Sequence, residues 1–177
     1  MTNRDRCCEV YVAGASCNVQ RTQDFIKRVR ADPQLYVAHD WTRDAATVAT
    51  PDDQLDQDTR EVLSVQDLAA VRSCDAFVLL AEPGPVSRGS WVEFGYSLAM
   101  LEARALLDHK SLELLAATLE ARALLDHKSL ELLAATQGAP LIVVAGGERR
   151  SIFTSLADFE CANDDEAFAA VRGWWLW

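Results

Sequence analysis

No apolar run in this 177-residue chain approaches the ~20 residues of a membrane span. The mostly apolar stretch 7–13 before Gly14 does not form the apolar core of a signal peptide. Basic residues are scarce, 17 against 27 acidic ones, for a net charge of −10. That balance argues against a nucleic-acid or anionic-membrane surface, which would need a basic patch. The five cysteines (Cys7, Cys8, Cys17, Cys74 and Cys161) are odd in number and lack metal-ligand spacing. Reduced thiols in a cytoplasmic protein are the expectation. What is plentiful is apolar residue: at 50% of the chain it supports a sizeable core and excludes a disordered polypeptide. The length suits a single domain over residues 1–177.

One feature stands apart. Residues 101–118, LEARALLDHKSLELLAAT, recur unchanged as residues 119–136. The unit holds no Gly or Pro and is rich in good helix formers. Its 18 residues make five turns at about 3.6 residues each, so the copy lengthens a helix without rotating its apolar face. Leu101, Ala105, Leu112 and Leu115 continue in phase as Leu119, Ala123, Leu130 and Leu133. Unbroken, a helix over residues 91–136 would be roughly 65–70 Å long, more than a small domain is wide. It either protrudes against a partner or breaks near Ser111, which could cap a new helix. The long helix is favoured. His109 and His127 arise as a pair through duplication, lack companion ligands, and read as solvated helix residues rather than a metal site.

Elsewhere strands and helices alternate. Strands are expected over residues 8–13, 35–38, 76–80 and 141–145, the last two as continuous apolar runs typical of buried parallel strands. Helices are expected over 20–30, 60–72 and 164–172, with a polar loop over 43–57. On the 60–72 helix the apolar positions are Val62, Val65, Leu68, Ala69 and Val71. The alternation implies a three-layer α/β fold, flavodoxin-like (Rossmann-like), with a parallel sheet. Ligands of such sheets bind beyond the carboxyl ends of the strands. The apolar tail around Trp174, Trp175 and Trp177 reads as packing, on the core or on a neighbour.

Strand ends carry the candidate chemistry. The first runs into Gly14-Ala15-Ser16, the third into Ser87-Arg88-Gly89-Ser90 ahead of a helix. That second stretch could cradle an anion at a positive helix end. Equally, Ser90 with Glu93 three residues on forms a capping box. Glu93 in the first helical turn would be kept ionised by the helix N-terminus, and a fixed carboxylate is what attack on an anomeric carbon requires. A neutral one would serve as an acid. Asp67, on the preceding helix, has the character of a solvated helix residue unless a second carboxylate converges with it on one cleft.

Gln66-Asp67-Leu68, the run from Ser73 to Leu80, and Ser87-x-Gly89-Ser90-x-x-Glu93-x-Gly95-Tyr96-Ser97-Leu98-Ala99 together resemble the nucleoside 2-deoxyribosyltransferase family. Its superfamily includes the 2′-deoxynucleoside 5′-phosphate N-hydrolases. The opening run from Val10 to Ser16 and the late run from Gly138 to Val144 are similar to it as well, so the likeness spans most of the chain outside 43–57 and 101–136. The resemblance implies that Glu93 attacks C1′ of a nucleoside or nucleotide, that Asp67 orients groups or moves protons at base and sugar, and that Tyr11 hydrogen-bonds near the nucleophile. It implies cleavage or transfer at the N-glycosidic bond through a glycosyl-enzyme, with no metal or organic cofactor. Ser87 would contact a substrate phosphate, with Arg88 and Arg21 adding charge-assisted contacts. Gly14, Ser16, Gly89 and Ser90 would line the substrate site, and His39 could face the sugar or base. A homodimer or higher homo-oligomer is implied too. Two other readings stay open: a TIR-like domain that cleaves NAD, and a non-catalytic nucleotide-binding module.

Overall fold

The computed structural model describes residues 6–43, 56–82, 89–102, 140–146 and 154–176. The polar loop 44–55, residues Ser87 and Arg88, and nearly all of the duplicated segment lie outside the described residues.

Five strands form one sheet: β1 (Cys8–Gly14), β2 (Leu35–Val37), β3 (Ala76–Leu80), β4 (Leu141–Ala145) and β5 (Phe159–Cys161). Every pairing is parallel and the order is β2-β1-β3-β4-β5, the flavodoxin-like arrangement. The helices are α1 (Val19–Ala31), α2 (Gln57–Ser73), α3 over residues 89–102, and α4 (Asp164–Leu176). Side chains at the helix starts satisfy open amides. The Asp56 carboxylate accepts from the Thr59 amide at 2.8 Å, and the Asn163 side chain accepts from the Asp165 and Glu166 amides at 3.0 Å.

The period-2 alternation of the strands divides the core into two layers. Val10, Val12, Val78 and Val143 point towards α1 and α4, where Phe25, Ile26, Val29 and Val171 meet them. Tyr11, Phe77 and Ile142, one residue out of phase, point to the opposite face, against Val71 of α2 and Phe94 of α3. Strands β3 and β4 are buried throughout, as their unbroken apolar sequences require.

Three differences from the sequence reading have physical causes. Strand β5 was not expected: at three residues, two of them exposed, it carries no periodic signal. The α2 apolar face is seated only at its C-terminal end, where Ala70 and Val71 are buried, while Val62 and Val65 stand 55% and 62% exposed. Helix α4 runs on through Trp174 and Trp175 to Leu176. There Trp175 packs on the α1–α4 core and receives the Arg6 guanidinium 5.7 Å above its ring.

All five cysteines are free. Burial, reinforced by Asp75, pushes the Cys8 thiol up to about 12, the signature of a packed rather than a reactive sulfur. Among the described residues no helix is long and apolar enough to cross a membrane, and no group of three His, Cys, Asp or Glu is placed to hold a metal ion.

Candidate active site

Parallel order reverses direction between β1 and β3, where Gly14 pairs with Leu80. Open α/β sheets form their ligand crevices at such points. The face above this point is covered by α2 and α3, which carry the two candidate carboxylates.

Tyr11 is the centre of the arrangement. Its ring is fully buried and stacks on Phe77 with centroids 5.9 Å apart. Phe77 in turn meets Phe94 of α3 at 6.3 Å, and Trp91 closes edge-on against Phe94 at 5.6 Å. This aromatic bed fixes where the Tyr11 hydroxyl sits. The sequence pattern does not single it out, because Phe77 and Phe94 look like any core residues.

The hydroxyl lies close enough to Asp67 and Glu93 to feel both carboxylates, yet it makes no bond of full hydrogen-bond geometry. Burial first, then the charges of Glu93 and Asp67, push its phenol well above the ordinary range. It therefore stays protonated. A buried hydroxyl short of a proper partner in such surroundings is a place where a further polar group can bind.

Asp67 and Glu93 thus converge, and Asp67 is not merely a solvated helix residue. The structure corrects the expectation that the helix N-terminus keeps Glu93 fully ionised. Burial, and secondarily the Asp67 charge, raise its carboxyl from 4.5 to about 7, against a smaller opposing pull from Tyr11. Desolvation and a like charge both disfavour the second negative charge. Near neutrality the Glu93 carboxyl is therefore divided between its protonated and ionised forms.

His39 extends the array. Its Nε2 lies 3.5 Å from Asp67 Oδ1, with the two side chains 25% and 24% exposed. It follows β2, whose C-terminal neighbour Ala38 donates its amide to the Val10 carbonyl at 2.9 Å. Next along the chain, Asp40 is taken up by Arg30 at 2.6 Å, Arg43 at 3.2 Å and the Thr42 hydroxyl at 2.5 Å. Trp41 anchors the same segment through its indole N–H to the Val12 carbonyl at 2.9 Å. His39 is therefore held on a well-braced turn.

A search of sequence profiles of known families and of curated proteins finds no match. Among solved structures, the chain is similar to CMP N-glycosidase BcmB of Clostridium botulinum, at 14% identity and a TM-score of 0.46, covering 94% of this chain and 98% of that one.

The remaining candidates separate into groups. Gly14 and Ser90 are bonded to each other, the Ser90 hydroxyl donating to the Gly14 carbonyl at 2.6 Å. Ser90 already lies within α3, where this bond ties the helix to the end of β1. Ser16 heads an exposed 3-10 turn, and Gly89 is exposed at the start of the described part of α3.

Arg21, expected as an added phosphate contact, is engaged elsewhere. Its guanidinium donates to Asp164 Oδ2 at 3.0 Å, to the Ala81 carbonyl at 2.8 Å and to Glu82 Oε1 at 3.0 Å. Hydrogen bonding to Asp164 chiefly, with Glu82 behind it, outweighs burial and raises its already high pKa. Arg21 thus clamps α1, the end of β3 and the start of α4, because two carboxylates and a carbonyl leave the cation no reason to face a ligand.

Proposed function

We propose that this chain is an enzyme that cleaves, or transfers across, the N-glycosidic bond of a nucleoside or its 5′-monophosphate. The observation that carries the reading is the convergence of Asp67 and Glu93, from two different helices, on the buried hydroxyl of Tyr11. Paired carboxylates, one with its proton affinity raised by burial and by its neighbour's charge, are a usual basis of acid and nucleophile roles in glycosidic chemistry.

With one proton in the pair, the reactive arrangement places it on Asp67 and the charge on Glu93. The Glu93 carboxylate attacks C1′, and the C1′–N bond breaks with its electron pair passing to the base. Asp67 delivers its proton to the departing base. Water, or a second base, then attacks C1′ and breaks the C1′–O bond to Glu93, which returns to its carboxylate form, while Asp67 takes up the proton that the incoming nucleophile loses. Tyr11, which stays protonated, donates to the attacking carboxylate and positions it. The steps require no metal ion or organic cofactor from these residues.

The test is to incubate the chain with a panel of ribo- and deoxynucleosides and their 5′-monophosphates and to follow release of free base. Release by the wild type and its loss in Glu93→Gln supports the reading. Equal release by that variant overturns it. Nicotinamide release from NAD without nucleoside cleavage selects the TIR-like alternative, and ligand-induced thermal stabilisation without turnover selects a binding module.

A further inference from the structure

Helix α2 presents an exposed stripe whose residues follow a regular spacing. Asp58, Val62, Val65, Ala69 and Arg72 are all exposed, and they succeed one another at intervals of four, three, four and three residues. At about 100° per residue, the five positions fall within about 40° of one line along the helix. Such spacing is that of a coiled-coil seam. Asp67 lies about half a turn round from this line, and the buried Ala70 and Val71 sit to either side of it, on the face that meets the sheet. Apolar side chains occupy the middle of the stripe and opposite charges its ends, with Asp58 in the first turn and Arg72 in the last. That order suits the helix dipole. It also makes the stripe complementary to itself. Val65 stands seven residues from each charge. When a second copy of the stripe is laid on the first in the antiparallel sense, with the two-fold axis at Val65, each Asp58 comes opposite the partner's Arg72. A parallel arrangement would instead set aspartate against aspartate and arginine against arginine.

We propose that α2 docks antiparallel on α2 of a second copy of this chain, through Asp58, Val62, Val65, Ala69 and Arg72. A two-fold contact needs a surface that fits itself, and this stripe does so both in its apolar centre and in its charged ends. The partner covers the two valines that the fold leaves exposed. Because Asp67 is on the other side of the helix, the seam does not run through the candidate site. The contact is independent of any catalytic reading. A pair of 17-residue helices, each about 25 Å long, makes less than a standard protein interface, so the dimer is expected to dissociate at about 10–100 μM.

The experiment is sedimentation equilibrium of the full chain at concentrations from well below to well above that range. The wild type is expected to pass from monomer to dimer. Val65→Glu sets two like charges face to face at the axis and should stay monomeric throughout; thermal melts check that this exposed position leaves the fold intact. Asp58→Arg and Arg72→Asp each bring like charges together at both ends of the seam, and each should weaken self-association about tenfold. An equimolar mixture of these two variants should recover the wild-type affinity, because every arginine then meets an aspartate. A mere loss of helix stability could not produce that recovery. A chain that stays monomeric at every concentration, a dimer indifferent to Val65→Glu, or a mixture that associates no more tightly than its components overturns the proposal.

Discussion

The Ser90 hydroxyl donates a 2.6 Å hydrogen bond to the Gly14 carbonyl, joining the first turns of α3 to the last residue of β1. Both ends are buried, so the bond is shielded from water. Its consequence is geometric: β1 carries Tyr11 and α3 carries Glu93, and this contact sets their relative placement. Ser90→Ala should therefore cost about 1–3 kcal/mol, because it strands a buried carbonyl without its donor. Chemical denaturation checks the stability loss. Base release should fall along with it even under conditions where the variant is fully folded.

Gly14 is constrained on its other side by α1. A Cβ at this position would stand 2.0 Å from Thr22 Oγ1, and Thr22 is itself only 1% exposed. The threonine has nowhere to turn. Gly14→Ala should destabilise by about 1–3 kcal/mol through overpacking. Adding Thr22→Ala removes the colliding oxygen and leaves Thr22 Cβ, at 3.3 Å, as the nearest contact. The double variant should then be more stable than Gly14→Ala, a sign of coupling that denaturation of all four proteins would measure.

Arg21 makes a sharper distinction between charge and shape. It engages Asp164 through Nε at 3.0 Å and Nη2 at 2.5 Å while Nη1 serves Glu82 and the Ala81 carbonyl. A lysine keeps the charge but cannot fork across two elements. Arg21→Lys should thus lose most of what Arg21→Ala loses, about 2–3 kcal/mol for a largely buried network. If the lysine variant melts like the wild type, the clamp acts through charge alone.

Much of this architecture is written locally in the chain. The runs over β3 and β4 name themselves as buried parallel strands, and Cys8–Gly14 reads as a strand from its own residues. Glu93, Asp67 and Tyr11 are legible as candidates because their spacing along the chain resembles a known pattern. What the sequence does not reveal is created by tertiary contact. The exposed valines of α2 look like core residues until the helix is seen to seat only its last turns. Arg21 looks available until Asp164, far along the chain, takes it. The protonation of Glu93 depends on burial and on Asp67, neither of which is a property of the helix that carries it.

That protonation has a cost for folding. The Glu93 carboxyl rises from 4.5 to about 7 in the folded chain. Below 4.5 it is protonated in both states and contributes no difference. As pH climbs from 4.5 to about 7 the unfolded chain sheds the proton while the folded one keeps it, so stability is progressively lost. Above that window the penalty is constant, at most about 3 kcal/mol and less where water reaches the group. Glu93→Gln should accordingly be more stable than the wild type at pH 8 and nearly equal to it at pH 4. Melting curves at the two pH values test this; equal stability at both would mean that Glu93 is not strained by its surroundings.

The same proton makes a kinetic prediction. If Asp67 must carry the proton to the base while Glu93 attacks, the active form is the pair with one proton, and its last proton leaves near pH 7. The rate of base release should then fall as pH rises through about 7, with a second, acidic limb where both carboxyls are protonated. Asp67→Asn removes both the acid and the charge that raises Glu93. In that variant the alkaline limb should vanish and the residual rate should rise towards a plateau at lower pH, since Glu93 then ionises more easily. A leaving group that needs no protonation, such as a nitrophenolate glycoside, separates the two roles of Asp67: its cleavage should follow Glu93 ionisation alone and increase with pH through the range where nucleoside cleavage declines. Identical profiles for both substrates would show that Asp67 gives no proton to the base and acts only by orientation.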